Sequence, residues 1–322
     1  MQLPDQMGKG IAKVRTVGDK VRIAIVRECS APKLGNVFPG ADFTDMTYDT
    51  FCMAAEAIGA AVDELRYTTS SNSSELGIGD YCLRMVQAMM DSVGKNTSLG
   101  TVLLIAPLIV AGENSKTIQQ VLAELSPRDT ALVYEAIRIA NPGGMGKTDQ
   151  MDIGEIAPPS LENAMRFASS YDDVALQYVS DFGLVKRLGY RTAELTAPTI
   201  QRLERGEHQQ SQGTQMSVAE MSFNRVVQRI QLEVLAERVD SLIVRKSGIE
   251  TAQEVMNRCQ EISVISTEDE CWQHRWKELD SWMRDKRSSE GKQLVNPGTT
   301  ADLIAAAIFF CMQNGLCDVP NR

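Results

Sequence analysis

Histidine is the scarcest useful side chain here, with two in 322 residues. Zinc chemistry and Ser-His-Asp catalysis are disfavoured on histidine supply alone. The seven cysteines contain no CxxC pair, and none sits with histidine at zinc spacing. An odd number of cysteines without a pattern predicts reduced, mostly buried thiols and a cytoplasmic protein. Aromatic residues are only 6% of the chain, so Leu, Ile, Val, Ala and fifteen Met must fill the core. No basic field is present: the formal net charge is −9, which argues against nucleic acid as a partner. A long hydrophobic run is missing as well. The most apolar stretch, Thr101 to Ala111, is too short to span a membrane and carries Pro107. No secretory signal is expected in the polar opening residues.

The patterning that remains is helical. Apolar residues recur at helix spacing, turn signals separate the stretches, and strand-like alternation is scarce. The expected fold class is all-α: one compact domain over 21–322 of about ten to thirteen helices, behind a flexible segment 1–20. Thr101 to Ala111 should be its buried central helix. Helices are expected from Arg22 to Cys29, from Thr44 to Leu65 and from Asp80 to Ser92 with Gly94 as its stop. A helix restarts at Ser126-Pro127 and breaks at Asn141-Pro142-Gly143. Further helices are expected over Asp172 to Leu188, from the capping box Ser217/Glu220, and from Thr300 to Gln313.

Several segments carry residues suited to phosphate chemistry. Glu28 precedes the loop Pro32-Lys33-Leu34-Gly35-Asn36-Val37, where a cation, an amide and backbone N–H groups suit a phosphate or ribose; an ordinary turn fits too. Asp42, Asp45 and Asp49 follow. On a helix, Asp45 and Asp49 would share one face, where Mg²⁺ would offset their repulsion. Gly94-Lys95-Asn96-Thr97-Ser98-Leu99-Gly100 opens the apolar helix, whose first N–H groups form an anion site; plain capping by Asn96 or Thr97 leaves Lys95 and Gly100 unexplained. Asn141 to Thr148 imitates a P-loop but lacks its first glycine and its strand-helix context, so a Walker assignment is rejected; Asp152 beyond it is a candidate pocket carboxylate. Arg245 and Lys246 end a short segment opened by Asp240, before Gly248. Thr299 or Thr300 caps the last helix, with Asp302 in its first turn.

Each signal alone is weak, and their order is informative. Glu28, PKLGNV, GKNTSLG before an apolar helix, a Gly-rich loop, Asp240 to Gly248 and NPGTTADL together resemble the triphosphoribosyl-dephospho-CoA synthase family from about Glu28 to Phe310. That resemblance implies an all-helical enzyme acting on ATP and 3′-dephospho-CoA. An acceptor ribose hydroxyl attacks C1′ of the ATP ribose, adenine leaves, and the triphosphate stays on the transferred sugar. It implies Glu28 and Asp45 as catalytic carboxylates. Lys33, Gly35, Asn36, Lys95, Asn96, Thr97, Gly100, Arg245 and Lys246 would bind nucleotide and phosphate, and Asp45 and Asp49 would hold Mg²⁺. A homodimer is compatible with the sequence. Ser98 and Leu99 stand where the citrate lyase branch carries a histidine and a cation. The chain therefore resembles a divergent branch, with the acceptor open to other cofactor precursors. A Mg²⁺-dependent nucleotide phosphohydrolase and a non-catalytic partner protein are the competing readings.

Overall fold

The computed structural model describes residues 15–70, 75–143, 151–204, 217–265, 269–285 and 295–320. The described residues form fourteen α-helices and no strand. In chain order they are α1 (Val17–Ser30), α2 (Tyr48–Ser70), α3 (Ile78–Val93), α4 (Leu99–Glu113), α5 (Ile118–Ala123), α6 (Pro127–Ala140) and α7 (Leu161–Ala168). Then come α8 (Asp173–Val179), α9 (Gly183–Glu204), α10 (Val218–Glu237), α11 (Ser241–Ser247), α12 (Ile249–Ser263), α13 (Glu270–Asp285) and α14 (Gly298–Gln313). The all-α expectation holds.

Several boundaries follow local chemistry that the sequence shows. Thr16 and Asp19 form a reciprocal capping box, so α1 begins at Val17, inside the segment 1–20 expected to be flexible. Residues 1–14 and the Gly144–Thr148 part of the P-loop imitation lie outside the described residues. Gly94 closes α3 in the left-handed conformation, and Asn141 does the same for α6, which Ser126 caps and Pro127 starts. Ser217 and Glu220 open α10 as a capping box. One expected helix is two. Asp181 and Phe182 both have positive φ, which breaks Asp172–Leu188 into α8 and α9.

The main hydrophobic cluster is built on α4 and α14, both apolar around most of their circumference. Around them, α1 packs on α2 and α14, α3 on α2 and α6, and α9 on α14 and α10. Pro107 sits inside α4 and has no N–H to give the Leu103 carbonyl one turn back. The buried Tyr178 hydroxyl of α8 donates to that carbonyl instead, at 2.6 Å. A second, smaller cluster joins α10 through α13, with Leu34 and Val295 inserted into it. Cys311 and Cys317 are joined in a disulfide with Cα atoms 5.9 Å apart, which corrects the expectation of thiols throughout. Of the other five, Cys29, Cys82 and Cys259 are buried free thiols, Cys52 is half-buried and Cys271 exposed. Among the described residues no helix is long and apolar enough to cross a membrane.

Candidate active site

The PKLGNV segment and the Ala31 before it bridge the two clusters: Ala31 belongs to the first and Leu34 to the second. Its backbone is held on both sides. The Gln231 side chain of α10 accepts from Leu34 N at 2.8 Å and donates to Leu34 O at 3.0 Å and Asn36 Oδ1 at 2.8 Å. Gly35 N donates to Asp280 Oδ1 at 2.8 Å, and Asn36 Nδ2 donates to Asn296 Oδ1 at 2.6 Å. Gly35 has φ +64°, and a Cβ there would meet the Val295 carbonyl at 2.5 Å, so glycine is required. Arg284 donates to the Asn36 carbonyl and lies over the Phe38 ring. These anchors make the segment a rigid piece of backbone, with the polar atoms of Gly35 and Asn36 turned to protein partners.

That rigid loop seals one ion pair inside the protein. Lys33 is fully buried; its Nζ donates to the carbonyls of Glu28 at 2.7 Å and Ala31 at 3.2 Å. The same Nζ lies 3.2 Å from Glu28 Oε1, an ion pair without hydrogen-bond geometry. Glu28 is 7% exposed, and its Oε1 has no hydrogen-bond partner. Burial pushes the Glu28 carboxyl above its ordinary range, and the Lys33 ammonium pulls against that.

Two further buried acids come from distant segments, and the Glu28 charge acts on one of them, Asp302. Asp302 of α14 turns away from its own helix and accepts from Thr101 N at 2.9 Å and Thr101 Oγ1 at 2.7 Å, at the start of α4. A Cβ on Gly100 would lie 2.2 Å from Asp302 Oδ2, so the carboxylate rests directly on the glycine backbone. Desolvation first, then the Glu28 and Asp240 charges, lift the Asp302 carboxyl to about 7, against the pull of the Thr101 donors. Asp240 caps α11 through Leu242 N and Ile243 N, and its other oxygen takes Thr300 N and Thr300 Oγ1, both at 2.7 Å. Ser241 Oγ donates to Thr299 Oγ1 and accepts from Asp173 N. The starts of α4, α8, α11 and α14 are thereby tied together.

The structure sorts the residues expected from sequence. Glu28 pairs with Lys33, Gly100 lies against Asp302, and the Glu28 charge acts on Asp302. Gly35 and Asn36 shape the loop beside them. Arg245 pairs with Asp172 at 2.7 Å, and its buried Nε has no acceptor; Lys246 is exposed at the next position. Lys95 is exposed, and its Nζ donates to the Asp45 carbonyl, joining the two surface loops. Asn96 Oδ1 accepts from Leu99 N at 3.1 Å, and Thr97 Oγ1 accepts from Ser98 Oγ. Two of the first N–H groups of α4, those of Leu99 and Thr101, are therefore committed to Asn96 and Asp302.

Two expectations fail. Asp45 and Asp49 do not share a helix face, because Asp42 Oδ1 takes the Tyr48 N–H at 2.7 Å and α2 starts only at Tyr48, leaving Asp45 in the loop. Thr299 and Thr300 do not cap α14; Pro297 holds that position, and both threonines are buried against α11. Asp152 accepts from Gly154 N in a surface turn. Sequence reasoning undervalued Asp240 and Asp302. Both lie in segments it singled out, but each reads locally as a helix cap.

Comparisons with known proteins bear on the family and the fold. The family model for ATP:dephospho-CoA triphosphoribosyl transferase matches residues 14–317. A crystal structure from Archaeoglobus fulgidus, described as a candidate triphosphoribosyl-dephospho-CoA synthase, superposes with a TM-score of 0.51 at 21% identity. It covers 82% of this chain and 99% of that one, a likeness that concerns the fold. The search of curated proteins finds no match. The matched span takes in Glu28 and Lys33, the Gly100–Asp302 contact and the Asp240 staple alike, and the chain belongs to the ATP:dephospho-CoA triphosphoribosyl transferase family.

Proposed function

We propose that this chain moves the 5-triphosphoribosyl group of ATP to a ribose hydroxyl of 3′-dephospho-CoA, or of a closely related nucleotide acceptor, with Glu28 at the reacting centre. The observation that carries this is Glu28 Oε1, a buried carboxylate oxygen with a cation beside it and no hydrogen-bond donor of its own. Such an oxygen suits an incoming hydroxyl, whose proton it accepts as the oxygen attacks C1′. It also places negative charge beside a sugar carbon that becomes oxocarbenium-like. The Lys33 ammonium favours the ionised carboxylate against the burial that raises it, and so acts through Glu28, with no direct part in phosphate contact.

The triphosphate belongs to the rim. Lys95, Arg245 and Lys246 bring positive charge, and Asn96 and Thr97 bring polar atoms at the mouth of the α4 loop. Asp45 and Asp49 are exposed, and no protein cation pairs with either among the described residues. Two such carboxylates fit a Mg²⁺ held mainly by phosphate oxygens and water, which would neutralise charge on the triphosphate. Ser98 and Leu99 remove a histidine and a cation from the acceptor side and favour an acceptor with less negative charge there.

The test is a single incubation with ATP and 3′-dephospho-CoA, separated by chromatography. Free adenine in step with a triphosphoribosylated acceptor is the expected result. Phosphate or pyrophosphate without adenine would refute the reading.

A further inference from the structure

The reaction has two proton problems, and Glu28 solves only one. Adenine is a poor leaving group as an anion, so a proton must reach one of its ring nitrogens as the N9–C1′ bond breaks. Glu28 faces the wrong way for this in charge, because Lys33 beside it favours the ionised form. Asp302 is the complementary group. It has no cation partner among the described residues; its only donors are Thr101 N and Thr101 Oγ1, both on Oδ1. Its second oxygen, Oδ2, lies over Gly100 with no hydrogen bond. The charged groups that act on it from neighbouring elements are Glu28 of α1 and Asp240 at the start of α11, both of which disfavour its ionisation. Two carboxyls within electrostatic reach, one beside a cation and one without, separate into a base and an acid.

We propose that Asp302 is the general acid of the transfer, delivering its proton from Oδ2 to a purine ring nitrogen while Glu28 takes the proton of the acceptor hydroxyl. This rests on the transferase reading above. The hydroxyl oxygen forms the new bond to C1′, the N9–C1′ electron pair goes to the purine, and adenine departs neutral. Glu28 is left protonated and Asp302 ionised, and one proton passed from Glu28 to Asp302 restores the site. The carboxyl at about 7 supplies the acid form near neutral pH. Gly100 has a reason in this scheme: a side chain there would displace the oxygen that carries the proton.

The experiment compares ATP with 4-nitrophenyl β-riboside 5′-triphosphate, whose phenolate leaves without protonation, each with 3′-dephospho-CoA as acceptor. Asp302→Asn keeps an Oδ1 for both Thr101 donors, and circular dichroism checks its fold. The expected loss with ATP is about 10²–10⁴-fold, with the nitrophenyl substrate within about tenfold of wild type. Glu28→Gln should slow both. A second reading needs no variant: in the wild type, kcat/KM for ATP should fall as pH rises through about 7 while that for the nitrophenyl substrate does not. Equal losses for both substrates in Asp302→Asn, or coincident pH profiles in the wild type, would overturn the assignment. Failure of the wild type to release adenine at all would instead refute the transferase reading beneath it.

Discussion

Replacing Lys33 with Met removes a charge and keeps most of the volume. Lys33 is fully buried and Glu28 is 7% exposed, so Glu28 loses the one cation paired with it among the described residues, with little water to replace it. Breaking such a pair costs about 3–5 kcal/mol. The carbonyls of Glu28 and Ala31 also lose a donor, which falls within the same range. Glu28 escapes part of the cost by taking up a proton. Its carboxyl already lies above the ordinary 4.5, and loss of Lys33 raises it further. A raised native value means that the folded state binds a proton the unfolded state has released. Stability is then fully present below 4.5 and is lost as pH rises through the folded value. The deficit of Lys33→Met should therefore be modest near pH ~5 and reach about 3–5 kcal/mol near pH ~8. Urea unfolding midpoints of wild type, Lys33→Met, Glu28→Gln and the double variant at both pH values measure it. The double variant should recover the pH-dependent part, with a coupling of about 0.5–3 kcal/mol between the sites. A deficit equal at both pH values, or a double variant equal to the sum of the singles, would refute the buried pair.

Three further outcomes are expected. Gly100→Ala places a Cβ 2.2 Å from Asp302 Oδ2 and should cut adenine release about 10²-fold while costing only about 1–3 kcal/mol in unfolding experiments; unchanged turnover would dissociate that contact from chemistry. Asp240→Ala leaves four donors without an acceptor and should lower stability by at least about 2 kcal/mol, with Asp240→Asn milder; equal effects would mean that charge matters more than acceptor count. Tyr178→Phe removes only the hydroxyl that serves Leu103, and a midpoint drop of about 1–3 kcal/mol should appear without loss of packing volume.

Helices were legible wherever a cap and a periodic face coincided, as at Ser126-Pro127, Gly94 and Ser217/Glu220. The break at Asp181-Phe182 was not, because a phenylalanine with positive φ is imposed by tertiary packing and leaves no local mark. The site was half legible. Glu28 and Lys33 are five residues apart and fall in one motif, so chain order revealed them. Asp302 and Thr101 are 201 residues apart, and a carboxylate in a first helical turn looks the same whether it serves its own helix or another. The shared helix face expected of Asp45 and Asp49 failed through an error of four residues in one helix start.

The central helix α4 cannot be completed by its own segment. Its opening turn waits for a carboxylate 201 residues downstream, and its middle carbonyl waits for a hydroxyl 75 residues downstream. During synthesis from the N-terminus, α4 must leave the ribosome with both groups open and only water to satisfy them. The innermost element of the protein is therefore among the last to be finished. A chain cut short before α14 would lack both the proposed acid and the partner that closes the core helix.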